Sequence, residues 1–302
     1  MKHALALALL LAPATAVAAP PLPPALAPSE IVAAAPSGDW TAIAASDLLV
    51  MDLAADARGK PRRVVIQLIP APFSQGWVEN IRKLAVEHWW DGTSVNRVQD
   101  NYVVQWGDAS EKKALPSELA VVPQWQYETV PLPGVRAVWP ISYPDAYASA
   151  MIWNGWPVSS NGRLAPVHCY GMVGVGRNLP PDTGTGAELY TVIGTPPRHL
   201  DRNIALVGRV IEGIEHLSAL PRGTGALGFY ETAEERVPIL SVRLGNEVPG
   251  LATYEYLATE SAGFARYADA RANRRDAFFI RAAGGADICN IPVPVRQVRT
   301  IP

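Results

Sequence analysis

The sequence predicts a mostly β fold, a closed barrel capped by two helices, and three observations carry that expectation. Past Trp40 the chain breaks into many short apolar runs, each bounded by Gly, Pro or Asp. Two of these runs flank a turn, and only two helical periodicities interrupt the series before Gly245. Short strands need a common buried face, and closing the sheet on itself supplies one without leaving a free edge.

The elements follow in order. Leu48-Leu49-Val50-Met51-Asp52-Leu53 and Arg63-Val64-Val65-Ile66-Gln67-Leu68, joined through Ala57-Arg58-Gly59-Lys60, predict an antiparallel hairpin. A helix comes next. Trp77, Ile81, Leu84, Ala85 and His88 recur at three- and four-residue spacing, Ser74 is placed to cap the start, and Glu79, Arg82 and Lys83 take the wet side. Further strands are expected at Tyr102 to Trp106, Tyr170 to Val175, Leu189 to Ile193 and Ile204 to Ile211. A short helix from Ile214 to Leu220 and a strand from Ile239 to Leu244 close a unit covering 46–245. Inside it, a long insertion near 109–167 is rich in Pro and Trp with little periodicity, and is expected to run over the surface with a few short elements.

Residues 246–302 form a C-terminal extension of α+β character. It has a helix near Glu260 to Arg274 with Phe264, Tyr267 and Ala268 on one side, a short apolar strand Ala277 to Ile280, and the segment Ile291 to Val298, whose prolines confine any strand to an edge. So small a segment is marginal alone and is expected to pack on the barrel. At the other end Lys2 and His3, the apolar run Ala4 to Ala12 and the small-residue site Ala16-Val17-Ala18 have the layout of a secretory signal peptide over 1–18. The expected location is the periplasm. The run is shorter than the ~20 residues that span a bilayer, so no membrane span is expected after cleavage; an uncleaved segment would tether the protein to the inner membrane. Residues 19–45 read as a Pro/Ala-rich linker, in which Pro20 to Pro24 favours extended polyproline and also matches the PxxP pattern. Cys169 and Cys289 are the only cysteines; export favours one bridge between them, and two free thiols are the alternative.

Composition narrows the function classes. A formal charge of −2 with acids and bases interspersed supplies no basic face for nucleic acid, while 49% apolar residues can build a sizeable core. There is no GxSxG elbow, HExxH, CxxC or Walker loop. His88, His168, His199 and His216 are far apart, and His168 and Cys169, as neighbours on a strand, would face opposite ways. No metal or cofactor is expected.

Six blocks, in order, resemble the cyclophilin family of peptidyl-prolyl isomerases from Asp47 to Leu244. Arg63 to Leu68 followed by Val78-Glu79-Asn80-Ile81 is similar to the family's strand and first helix, and Trp90-Asp91-Gly92-Thr93-Ser94-Val95-Asn96-Arg97-Val98 to its Tyr-Asp-Gly-Thr-x-Phe-His-Arg-Val stretch. Asn101-Tyr102-Val103-Val104-Gln105-Trp106-Gly107-Asp108 resembles Gly-Phe-x-x-Gln-Gly-Gly-Asp. Gly171 to Arg177, Ala187-Glu188-Leu189-Tyr190, and Leu200-Asp201 with Gly208 to Gly213 continue the match. The resemblance implies an eight-stranded closed antiparallel barrel and isomerisation of proline-containing polypeptides. It assigns the catalytic guanidinium to Arg97 and the substrate-backbone contact to Gln105. The proline socket falls on Tyr102, Val103 and Tyr190, with Leu200 at the rim.

The chain departs from the family at several of these positions. Tyrosines stand where phenylalanines are common, and a buried hydroxyl needs a partner. The rim tryptophan of many eukaryotic members falls at His199, the pocket histidine or tyrosine near Ile204, and the Ala-Asn pair at Gly176-Arg177; Gln-Phe-Phe becomes Glu188-Leu189-Tyr190. Retained Arg97 and Gln105 point to a folding enzyme for exported proteins. The altered pocket points to a cyclophilin-fold module that holds proline segments of an envelope partner without useful turnover. An unrelated hydrolase has no motif behind it.

Overall fold

The computed structural model describes residues 25–130, 139–140 and 147–298. The expected signal peptide and the Pro20 to Pro24 stretch lie outside them. The chain opens with α1 (Pro28–Ala33) and β1 (Trp40–Ile43), then lays down β2 (Leu48–Leu53), β3 (Arg62–Leu68), α2 (Gln75–Val86), β4 (Ser94–Val98) and β5 (Val103–Gly107). Four short strands follow: β6 (Trp139–Pro140), β7 (Ser149–Trp153), β8 (Trp156–Ser160) and β9 (Leu164–Pro166). Next come β10 (Met172–Val175), β11 (Leu189–Val192), β12 (Leu206–Glu212), α3 (Glu215–Ser218) and β13 (Val237–Leu244), and the chain ends on β14 (Tyr254–Leu257), α4 (Ala262–Ala272) and β15 (Val295–Gln297).

Eight strands close the barrel in the order β10-β11-β5-β4-β13-β2-β3-β12, every pair antiparallel. The hairpin expected from the first two apolar runs is β2–β3, in register from Leu48 opposite Gln67 to Leu53 opposite Arg62. Helix α2 caps the barrel by burying Trp77, Ile81, Leu84 and Ala85. Burial of Trp77 leaves no polar group stranded, because its indole N–H donates to Thr183 O and Gly184 O at 3.1 and 3.0 Å. Two details of the expected helix are corrected. Ser74 adopts φ 52° and makes no side-chain cap bond. His88 lies past the helix end, also at φ 52°, and is exposed rather than continuing the apolar stripe.

The 109–167 insertion is more than the expected surface loop. It builds the four-stranded sheet β6-β7-β8-β9, and Ile152, Trp156 and Val158 are buried in the same continuous core as the barrel. A two-residue turn at Asn154-Gly155, both at positive φ, joins β7 to β8, and Asn-Gly suits that turn because both residues tolerate the left-handed region. Arg209 on β12 fastens insertion to barrel: Nη1 donates to Gly155 O at 2.8 Å, Nε donates to Gln67 Oε1 at 2.9 Å, and the guanidinium stacks 4.6 Å from the Trp156 ring. Burial lowers its pKa to about 10, so it stays charged at neutral pH.

The linker reading of 19–45 is corrected from Pro28 onward. Pro28 starts α1, where a missing N–H costs nothing, and α1 packs on α4. Trp40 and Ile43 are buried, and β1 pairs with β14 from Trp40 opposite Leu257 to Ile43 opposite Tyr254. This N-terminal stretch and the C-terminal extension therefore form one small α+β unit, with β15 on its edge as its prolines require. The strand expected at Ala277 to Ile280 does not form; Phe279 N–H closes a turn on Asp276 O at 2.9 Å instead. Cys169 and Cys289, 120 residues apart, are disulfide-bonded, joining the extension to the segment before β10. Thiol titration of denatured, unreduced protein is expected to find no free thiol; two per chain would contradict the bridge.

Candidate active site

Four adjacent barrel strands carry one row of residues. Arg97 on β4 sits opposite Gln105 on β5, Gln105 opposite Tyr190 on β11, and Tyr190 opposite Gly174 on β10. The register shifts between Val95 and Arg97, and such an irregularity re-aims the side chains beyond it. The row opens onto a cleft of about 650 Å³ whose walls include Arg97, Gln105, Gly176, Tyr190, Leu200 and Ile204. Val103, Tyr190 and Val192 form a small apolar cluster of their own, with Tyr102 and Ile204 packed against it. This is an apolar patch in the wall of the cleft, bordered by a cation.

The Arg97 guanidinium is held on several sides. Its Nε donates to Leu227 O at 2.8 Å, Nη1 donates to Gln105 Oε1 at 3.3 Å, and Nη2 donates to Gln99 Oε1. Its carbon lies 5.7 Å from the centre of the Tyr102 ring and 5.1 Å from that of Phe229. Burial lowers the Arg97 pKa, yet a guanidinium starts high enough to stay protonated at neutral pH. A fixed, half-buried cation between aromatic faces suits a developing lone pair better than bulk water would.

Every site residue expected from the sequence lies at or beside this cleft. His199 is exposed, its ring parallel to that of Tyr102 with centroids 6.5 Å apart, so it borders the socket rather than lining it. Gly176 stands where a Cβ would come within 3.0 Å of Glu188 Cβ. Glu188 reaches across the neighbouring strands: its Oε2 accepts from Asn96 Nδ2 on β4 at 3.4 Å, and a side chain at Gly107 on β5 would collide with its carboxylate. Burial pushes the Glu188 carboxyl above its ordinary range.

One feature of the site is not visible in the motifs. The Tyr190 ring crosses directly over Gly174, where a Cβ would fall 2.3 Å from the phenol oxygen, and its hydroxyl meets His168 Nε2 at 2.8 Å. His168 Nδ1 is 2.8 Å from Asp201 Oδ1, and its backbone N–H donates to the same oxygen at 2.9 Å. Arg198 Nε donates to Asp201 Oδ2 at 2.6 Å. His168, Asp201, Arg198 and Tyr190 are all buried. Burial lowers the His168 pKa, partly offset by Asp201. The neutral ring therefore carries its proton on Nδ1, donating to the carboxylate, and Nε2 accepts from the Tyr190 hydroxyl. This satisfies the buried Tyr190 hydroxyl and fixes its ring in the wall of the cleft. Among the described residues no group of three or more His, Cys, Asp or Glu side chains could hold a metal ion.

Residues 59–244, the span that contains the whole row, match the family described as cyclophilin type peptidyl-prolyl cis-trans isomerase/CLD. The chain belongs to this family. By fold, it is similar to the crystal structure of cyclophilin AquaCyp293 from Hirschia baltica, with TM-score 0.65 and 18% identity over 85% of this chain and 93% of that one. A cyclophilin-type isomerase of Cryptosporidium parvum, crystallised in the presence of the dipeptide Ala-Pro, aligns with TM-score 0.39 and 9% identity over 65% of this chain and 98% of that one. No curated protein matches the chain. By family and fold this cyclophilin is a peptidyl-prolyl cis-trans isomerase, with an eight-stranded barrel as its catalytic scaffold.

Proposed function

We propose that this cyclophilin assists the folding of exported proteins by isomerising their proline bonds in the periplasm, with Arg97 as the catalytic residue. Amide resonance sets a rotation barrier of ~18–20 kcal/mol. As the bond twists, the prolyl nitrogen recovers a lone pair, and an Arg97 N–H donating to it stabilises the twisted state over both planar ones. Gln105, hydrogen-bonded to Arg97, holds the substrate backbone, while Tyr102, Val103, Tyr190, Leu200 and Ile204 receive the proline ring. No nucleophile or proton relay is required. The observation that carries this reading is the contact of Arg97 with Gln105 at the edge of an apolar socket. The signal-like leader and the Cys169–Cys289 bridge support export. A protease-coupled prolyl-isomerisation assay on the mature chain tests it; turnover at the uncatalysed rate would leave a proline-binding module, a reading favoured by the exposed His199 and by Ile204.

Cyclosporin is expected to bind weakly. High-affinity members of the family use a rim tryptophan N–H as donor, and by sequence resemblance that position falls at His199. Losing one well-made hydrogen bond costs about 1–2 kcal/mol, tenfold or more in affinity. Nanomolar inhibition in the same assay would contradict it.

A further inference from the structure

Beyond α4 the chain makes a loop that is tied at its neck and carries an apolar tip. Gly285 N–H donates to Ala272 O at 3.1 Å, so residues 273–284 leave and return at one point. The loop is ordered from within. Arg274 Nε donates to Asp276 Oδ2 at 2.6 Å, its guanidinium lies 4.3 Å from the centre of the Phe279 ring, and Phe279 meets Phe278 edge to face at 5.2 Å. These contacts leave Phe278 84% and Ile280 104% exposed. Single exposed apolar residues are ordinary, but three consecutive large ones presented on an ordered loop mark a contact surface.

The charge around the tip is mostly positive. Residues 262–286 hold five arginines (Arg266, Arg271, Arg274, Arg275, Arg281) against two aspartates (Asp269, Asp276), in a chain whose formal charge is −2. Arg275 and Arg281 flank the apolar tip and make no salt bridge among the described residues. Beside them is a hollow of about 310 Å³ lined by Leu26, Ile31, Arg266 and Arg275, so the first described residues emerge on the same side. A convex apolar tip with arginines on both sides has the arrangement that binds an interface whose outer layer is anionic and whose inner layer is hydrocarbon.

We propose that the 273–284 loop docks this cyclophilin on an anionic phospholipid surface. Phe278 and Ile280 enter the boundary between headgroups and acyl chains, and Arg275 and Arg281 donate to lipid phosphates. A protein partner is the less suitable occupant, since Asp276 is paired with Arg274 and the two charges flanking the tip that are unpaired among the described residues, Arg275 and Arg281, are both positive. The docking is separate from turnover.

The test is co-sedimentation of the full chain with sucrose-loaded vesicles of phosphatidylcholine, with and without phosphatidylglycerol. The wild type is expected to partition onto the anionic vesicles and to be released by salt. Phe278→Ser with Ile280→Ser should lower that partition about tenfold or more. Arg275→Gln with Arg281→Gln should abolish the preference for phosphatidylglycerol. Both variants alter exposed residues, so circular dichroism and isomerase turnover should be unchanged. The proposal is overturned if the wild type stays in the supernatant, as a protein-docking loop would leave it. It is equally overturned if the Phe278→Ser, Ile280→Ser variant sediments like the wild type, which would place membrane binding elsewhere on the chain.

Discussion

Arg97→Ala is expected to lower kcat about 10²–10³-fold while changing KM little, because a donor aimed at charge that develops only in the twisted state contributes about 2.7–4 kcal/mol there. The structure makes this separation of kcat from KM a sharp expectation. In the proposed pose the proline ring would rest on Tyr102, Val103 and Tyr190, which pack in an apolar cluster of their own. The hydrogen bonds of Arg97 go to Leu227 O, Gln99 and Gln105, and among the described residues its only contact with the socket is the Tyr102 ring face at 5.7 Å, so the fold should survive its removal. Arg97→Lys keeps the charge but loses the planar fork that serves Leu227, Gln105 and Gln99 together, and should recover only part of the loss. Tyr102→Ala differs in kind. It removes a socket wall and the partner of His199, so KM should rise as kcat falls. Steady-state kinetics of the three variants checks all of this. If Arg97→Ala retains more than about a third of wild-type activity, a loss below 1 kcal/mol, Arg97 is not the catalytic residue.

The barrel was readable because its signals are local. A β-hairpin shows itself as two apolar runs across a turn, and β2–β3 is found where those runs lie. Arg97, Gln105 and Tyr190 were readable through family motifs, but their meeting in one row is a product of register, which no single segment encodes. The insertion shows the opposite case. Its strands are only two to five residues long and include Pro140, Pro157 and Pro166, which mask the alternation expected of strands. Even so, Asn154-Gly155 between Trp153 and Trp156 is a hairpin signal that could have revealed β7–β8.

Long-range partners were the harder part. His168 could be seen as a lone histidine and Asp201 as part of a family block, yet they lie 33 residues apart and their contact exists only once β10 and the segment before β12 are side by side. The one sequence clue was chemical: a tyrosine in a socket usually lined by phenylalanine requires a buried acceptor for its hydroxyl. His168 is that acceptor. Similarly, α1 and β1 looked like linker because their burial depends on α4 and β14, more than 200 residues later in the chain. The pairing is non-local, and a composition of Ala and Pro carries no trace of it.

Asp201→Ala is expected to cost about 3–5 kcal/mol of stability, the range for deleting one partner of a buried ion pair and leaving the other behind. Asp201 accepts from Arg198 Nε, from the His168 backbone N–H and from the His168 ring, and none of these groups has access to water as a substitute. Tyr190→Phe removes only the last hydrogen bond of the chain and leaves His168 Nε2 unsatisfied, so its cost should be smaller, about 1–3 kcal/mol. The same chain sets a pH dependence. The folded-state pKa of His168 lies below its ordinary value of 6.5, so the unfolded chain binds a proton first as the pH falls. Its contribution to stability is therefore complete above about pH 6.5 and is lost as the pH drops from there toward the lowered folded value. Glu188 acts in the opposite direction: burial raises its folded pKa above 4.5, so it regains stability on acidification. Urea midpoints between pH 7.5 and 5 should thus fall in the wild type, fall more steeply in Glu188→Gln, and fall less steeply in a stable His168→Gln variant, for which ~6.5 is no longer a titration point. A slope that His168→Gln leaves unchanged would show that His168 is not the group resisting protonation, and with it the neutral ring bridging Tyr190 and Asp201 would be wrong.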